Sequence, residues 1–229
     1  NTMIIVTSDH GEPMGNGEHG HGIMRKCRPW PYEELAHIPM LVRVPGAGEG
    51  KRISSFVQSC DIAPTILDYL GYFDAAFSSE FYGYESLKEE EADNDEFQGK
   101  SLIPLVTGKK KKLRDFAIAG YYGFSWSIIT KDYSYIHWLS DRDNDDIQEI
   151  IAKVYDGVGG ADGEHYQSMQ TDDMWTCTPA SEAQLPEKDE LYDRKKDQFQ
   201  LNNIIDKKPK VAKKLLKQLK EYIGYLRTT

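Results

Sequence analysis

Met3-Ile4-Ile5-Val6 is an unbroken apolar, largely β-branched run that passes directly into Thr7-Ser8-Asp9-His10-Gly11. A run with no polar residue at alternate positions is the pattern of a central strand in a parallel sheet, covered on both faces. Such a strand needs neighbours. Because the chain opens on Asn1, without an initiator methionine or room for preceding βα units, residue 1 is expected to be a cut inside a larger domain. Nothing in the sequence identifies a cellular compartment.

The rest of the chain extends this pattern. A glycine-rich loop, Gly11 to Gly22, leads to Ile38-Pro39-Met40-Leu41-Val42-Arg43-Val44, a second apolar run stopped by Pro45-Gly46. Asp61 can cap a helix with Pro64 in its first turn, Ile62, Ile66, Tyr69 and Leu70 on one face and Gly71 as its stop. Strand, loop, strand and helix in this order predict an α/β fold that includes part of a mostly parallel central sheet with flanking helices. Beyond the Lys109 to Lys112 run the composition changes. Phe116 to Tyr122, Trp126 to Thr130 and Tyr133 to Leu139 are rich in aromatic and β-branched residues, and they predict a smaller antiparallel sheet. Val211, Leu215, Leu219, Tyr222 and Leu226, set against Lys213, Lys214, Lys217 and Lys220, predict an amphipathic C-terminal helix. The expected division is therefore 1–108 as the C-terminal part of the α/β core, with a variable insertion at 72–98, and 109–229 as a smaller α+β subdomain.

Composition narrows the function. The 229 residues suffice for a substantial core, and 39% apolar with 28% charged residues describe a globular chain. The 28 Lys and Arg against 37 Asp and Glu leave a net charge of −9, which argues against a general nucleic-acid binder. No apolar run approaches the roughly 18 residues needed for a membrane span. Cys27, Cys60 and Cys177 are too few and too scattered for a disulfide framework, and no C-x-x-C pair suggests zinc.

Chemistry gathers near the first strand. Asp9 and His10 follow it directly, at the carboxyl end where open parallel sheets place ligands. A carboxylate and an imidazole there can turn toward one cation, while Gly11 lets the backbone pass closely; the plainer reading is an Asp-capped turn with a surface histidine. His19, His21, Arg25 and Lys26 follow in a short loop and would suit a tetrahedral oxyanion, or simply form a basic loop.

Thr7-Ser8-Asp9-His10-Gly11-Glu12, Gly20-His21-Gly22 with Lys26 five positions beyond His21, Tyr32-Glu33-Glu34 and Ile38-Pro39-Met40 into Pro45-Gly46 together resemble the second half of a sulfatase of the alkaline-phosphatase superfamily. Asp61-Ile62-Ala63-Pro64-Thr65-Ile66-Leu67, Gly99-Lys100-Ser101-Leu102 and Glu190-Leu191-Tyr192-Asp193 with Asn202-Asn203 continue the resemblance in order. It implies that Asp9 and His10 are two of four metal ligands, with Ca²⁺ as the expected ion and Mn²⁺ or Zn²⁺ as alternatives. It further implies that Lys26 contacts sulfate oxygens catalytically, with His21 on the substrate side. Lys26 lies one residue further from Tyr32 than the family pattern, so Arg25 could take its place. The formylglycine nucleophile such enzymes draw from a C/S-x-P-x-R motif is expected in an N-terminal half outside this sequence. Cys27-Arg28-Pro29-Trp30-Pro31 has proline where that motif requires arginine.

The expected function is thus that of a metal-dependent sulfate-ester hydrolase, present as a fragment inactive by itself. Its expected partners are a small-molecule or carbohydrate sulfate ester and the N-terminal half of the same protein. A phosphate or phosphonate monoester hydrolase of the same superfamily is one alternative; a non-catalytic domain whose tyrosine-rich surface near Tyr121 and Tyr122 binds a partner is another.

Overall fold

In the computed structural model the described residues are 1–12, 14–15, 21, 23–24, 31–71, 98–121, 125–139, 186 and 188–228. The chain divides into two units. One holds Asn1–Asp9, Pro39–Ala117 and Lys220–Thr229, and the other holds His10–Ile38 and Ile118–Leu219.

In the first unit, β1 (Ile4–Thr7) pairs with β4 (Met40–Arg43), and Ile5 faces Val42. The pairing is antiparallel, as is every pairing whose register is described here. The mostly parallel sheet that was expected is not seen among the described residues: past α1 (Glu33–Ala36) the second apolar run lies antiparallel to the first. Double coverage of β1 is not seen among the described residues either. Exposure alternates along β1, and Ile4, Val6 and Leu41 share the open face of the pair.

The helix expected after Asp61 is α2 (Ile62–Tyr69), preceded by a 3-10 turn at Ser59–Asp61 and ended by Gly71 in the left-handed region at φ 76°. Pro64 and Thr65 are its buried residues, whereas Ile66 and Leu70 are exposed, so the apolar stripe is not the packed face. Packing runs through Thr65 instead. Its hydroxyl donates to the Asp61 carbonyl at 2.5 Å and accepts the Leu102 N–H at 2.9 Å, anchoring the segment that leads into α3 (Ile103–Val106). A side chain at Gly99 would overlap the Cys60 carbonyl, which explains a glycine at that crossing.

Within the glycine-rich stretch, β2 (Met14–Gly15) and β3 (Ile23–Met24) form a two-residue antiparallel ladder, where an uninterrupted loop was expected. The second unit centres on a sheet of β5 (Phe116–Tyr121), β6 (Ser125–Thr130), β7 (Tyr133–Trp138) and β8 (Glu190–Asp193), in that order. The first three are the expected strands. Lys131 and Asp132 make the tight β6–β7 turn, with the Tyr133 N–H bonded to the Thr130 hydroxyl at 3.1 Å. Five consecutive residues of β7, Ser134 to Trp138, are buried, so this strand is covered on both faces. The expected amphipathic helix is α4 (Pro209–Thr228), which buries Ala212, Leu215 and Leu219 and exposes Lys213, Lys214, Lys217 and Lys220. Proline at its first position removes only a donor that would have no helical partner.

Candidate active site

The site expected from the sequence begins two residues past β1. The Thr7 hydroxyl donates to the Pro39 carbonyl at 2.7 Å, tying the strand end to the residue before β4, and the Ser8 hydroxyl lies 3.5 Å from Asp9 Oδ1. His10 Nδ1 lies 2.6 Å from the Gly11 carbonyl. A carbonyl only accepts, so Nδ1 carries a proton in this arrangement. Gly11 is held by its N–H to the Leu35 carbonyl at 2.7 Å, and any side chain there would overlap the Glu34 carbonyl. Gly11 thus passes closely against α1.

Among the described residues no group of three potential metal donors converges. Asp9 closes the first unit's opening segment and His10 opens the second unit. His19, Arg25, Lys26 and Cys27 lie outside the described residues. Of the substrate-side candidates, His21 is described, and its surroundings are specific.

His21 Nδ1 faces Glu34 Oε1 at 2.9 Å, and Nε2 faces the Gln200 carbonyl at 2.8 Å. Both partners are acceptors, an arrangement that favours the doubly protonated ring. Burial opposes that charge, but the hydrogen bonds to Glu34 and Gln200 outweigh it and raise the His21 pKa. The ring stacks on Tyr32, with centroids 3.6 Å apart and planes 2° from parallel. The Tyr32 hydroxyl donates to the Glu190 carboxylate at 3.2 Å, and Tyr192 meets the Tyr32 ring edge-on.

Glu190 on β8 is buried, and that burial raises its pKa against the opposing hydrogen bonds from Tyr32 and Tyr192. Both phenols are pushed above the usual tyrosine range, first by burial and then by the nearby carboxylate. Gln200 ties the cluster together from a left-handed backbone, φ 56°. Its carbonyl takes His21, its side-chain oxygen accepts the Glu33 N–H at 2.6 Å, and its amide donates to Ser134 at 2.9 Å. Beside it Arg194 bonds Glu33 at 2.8 Å; burial alone would raise the Glu33 pKa, but His37 and Arg194 bring it below the usual range.

On β7, His137 Nδ1 lies 2.9 Å from Asp189, the residue before β8, which also accepts from Tyr135 and from the Trp138 N–H. These donors overcome burial and hold the Asp189 pKa low.

Sequence reasoning pointed to Tyr32-Glu33-Glu34 and Glu190-Leu191-Tyr192-Asp193 as segments, without their union. Gln200 had no local signal, and Glu190 was legible only as part of its segment. Their roles come from contacts across 158 and 179 residues, and no spacing rule reaches that far.

Parts of the chain are similar to known proteins. Residues 1–72 match the sulfatase family model. The N-acetylglucosamine-6-O-sulfatase of Bacteroides thetaiotaomicron is 29% identical over 164 residues, covering 66% of this chain and 25% of that protein. The structure of BT4656 in complex with its substrate D-glucosamine-2-N,6-O-disulfate superposes with a TM-score of 0.60 at 24% identity, covering 99% of this chain and 35% of that one. A phosphonate monoester hydrolase from Silicibacter pomeroyi superposes with a TM-score of 0.55 at 18% identity, covering 96% of this chain and 34% of that one. The chain thus spans about a quarter to a third of the length of these proteins. The fold is the α/β fold shared by sulfatases and phosphonate monoester hydrolases of known structure. Within it, the chain is similar to sulfatases, most directly over the residues 1–72 that match the family model.

Proposed function

We propose that the protein containing this chain is a metal-dependent sulfuric ester hydrolase acting on a sulfated carbohydrate, with 1–108 as its core portion and 109–229 as its smaller subdomain. The observation that carries this reading is the family match over residues 1–72, the stretch that holds Asp9, His10, His21, Arg25 and Lys26. The sugar class is supported by the N-acetylglucosamine-6-O-sulfatase relative.

Asp9 and His10 would hold the cation, Ca²⁺ first and Mn²⁺ or Zn²⁺ as alternatives, and with Nδ1 bonded to Gly11 the ligating nitrogen of His10 would be Nε2. A bound dication supplies Lewis acidity toward a sulfate oxygen. Lys26, or Arg25 in its place, places a positive charge against the oxygens that gain charge as the ester bond breaks. His21 keeps its ring at the substrate side of the loop, fixed by Glu34 and Gln200. The formylglycine nucleophile expected of the family comes from outside these 229 residues, so the chain by itself is expected to be inactive.

A second reading, phosphonate monoester hydrolysis, draws on the fold shared with the Silicibacter enzyme. Sulfate release by the full-length protein from an aryl sulfate and from glucosamine 6-O-sulfate, before and after chelation, tests both. The sulfatase reading expects loss of activity on chelation and a fall in kcat of about 100-fold or more for K26A, because a charge contact made in the transition state is removed. Faster turnover of a phosphonate monoester moves the assignment to the second reading. No turnover of either ester favours a non-catalytic partner-binding domain.

A further inference from the structure

Two basic segments of the first unit are brought side by side. Lys109, Lys110, Lys111 and Lys112 are all exposed, and so are Lys51 and Arg52. Lys51 Nζ lies 3.6 Å from the position a side chain on Gly108 would take, so the lysine of one segment sits against the start of the other. Further along, the Leu113 N–H donates to Ser55 Oγ at 2.9 Å, closing the same two segments at their other end.

The presenting backbone is fixed. Gly108 turns out of α3 in the left-handed region at φ 81°, and the Lys110 N–H returns to the Pro104 carbonyl at 2.8 Å. Two residues past the run, Arg114 bonds the buried Asp61 carboxylate at 2.5 and 2.6 Å. A lysine run in a solvated loop ordinarily has neither end tied; here both are. Among the described residues Lys112 pairs with Asp115, and no ion pair engages Lys51, Arg52, Lys109, Lys110 or Lys111. Like charges held close repel, and a partner of opposite charge relieves that repulsion. In a chain of net charge −9 such a cluster is a strong local exception.

We infer that Lys51, Arg52 and Lys109 to Lys112 form a docking ridge for a sulfated polysaccharide chain. The inference rests on the proposed reading of the protein as a sulfated-carbohydrate hydrolase, and it assigns such a substrate a second contact on the first unit. A cluster of exposed ammonium groups suits closely spaced sulfates as point charges. A single-stranded nucleic acid would call for aromatic stacking platforms, and no aromatic residue occurs in 49–55 or 108–115. The overall negative charge also disfavours nucleic acid at long range.

Salt-dependent binding of the full-length protein to immobilised heparin tests the ridge. K109Q/K110Q/K111Q is expected to lower affinity by about tenfold or more and to flatten the slope of log K against log salt by about 2 to 3, because about three counterion-releasing contacts are lost. K51Q/R52Q should act in the same direction, and K210Q/K213Q/K214Q on α4 should bind as the unaltered protein does. The Lys110 N–H bond survives these exposed substitutions, so coincident thermal unfolding will show that each variant is folded. Unchanged heparin binding by both ridge variants overturns the inference. So does equal or tighter ridge-dependent binding to desulfated heparin, to duplex DNA or to vesicles containing phosphatidylserine. Release of sulfate from a small aryl sulfate, which has no polymer to dock, reads the hydrolase proposal separately. Its absence with ridge-dependent heparin binding intact refutes the enzyme reading, and its persistence without such binding refutes the ridge.

Discussion

Each unit contains a polar hub that joins segments far apart in sequence, but the two hubs are built from groups with different proton chemistry. In the first unit the fully buried Asp61 carboxylate accepts the Gln58 N–H at 2.8 Å, the Lys100 N–H at 2.7 Å and both terminal nitrogens of Arg114. Burial opposes the Arg114 charge, yet Asp61 more than compensates and raises its pKa above an already high value. In the second unit the charge sits on His21, whose ordinary pKa is 6.5, stacked on Tyr32 beside the buried Glu190. The first hub keeps its cation at any pH the fold survives. The second can lose its own near neutrality.

Removing one partner of the first hub should have the largest effect. R114M leaves Asp61 buried with two backbone donors and no counter-charge, and it should destabilise the protein by about 3–5 kcal/mol, read as a lower urea midpoint. If R114M costs less than about 1 kcal/mol, water reaches Asp61 and the hub is not the lock described. D61N/R114M should recover part of the loss, because the backbone donors then keep one acceptor and no charge is buried alone.

H21A should cost less, about 2 kcal/mol, since it removes two hydrogen bonds and the stack on Tyr32 while Glu34 and the Gln200 carbonyl lose their donor. Urea unfolding of H21A beside R114M orders the two hubs, and a larger loss for H21A would reverse the comparison.

The smallest effect, and the sharpest, is the pH dependence. A raised His21 pKa means that the folded state binds the proton more tightly, so its contribution is complete below about 6.5, the unfolded value, and is lost as pH rises through the folded pKa. Glu190 acts in the same direction from a lower starting point, near 4.5. Glu33 and Asp189 act oppositely, losing stability as pH falls below the ordinary carboxylate range. Stability should therefore fall as pH rises above about 6.5 through His21, assisted by the exposed His37, which Glu33 also raises. H21A should flatten that fall more than H37A does. A slope unchanged in H21A would place the titrating group elsewhere.

The hubs also show where local reading stops. Asp61 was legible as the residue before a helix, and it does stand there; its carboxylate, however, caps no turn of α2 and serves Arg114, 53 residues away. His21 was legible as a basic residue near a chemical motif. That both of its nitrogens are occupied depends on Gln200, a residue no motif singled out.

What the sequence determined by itself is local and periodic. The apolar runs at β1 and β4, the three aromatic strands and the tight Lys131-Asp132 turn follow from side-chain alternation and turn chemistry, as does the terminal helix with its lysine face. That Gly11 must be a glycine to clear the Glu34 carbonyl was not readable, because Glu34 lies 23 residues away. Tertiary structure alone decided the direction of β4, the open face of β1, the pairing of two basic segments and the proton state of His21. Each depends on which distant group arrives at a given distance. Strand direction follows from how the intervening chain turns, and a pKa follows from burial weighed against partners; neither is a property of any stretch short enough to read along the sequence.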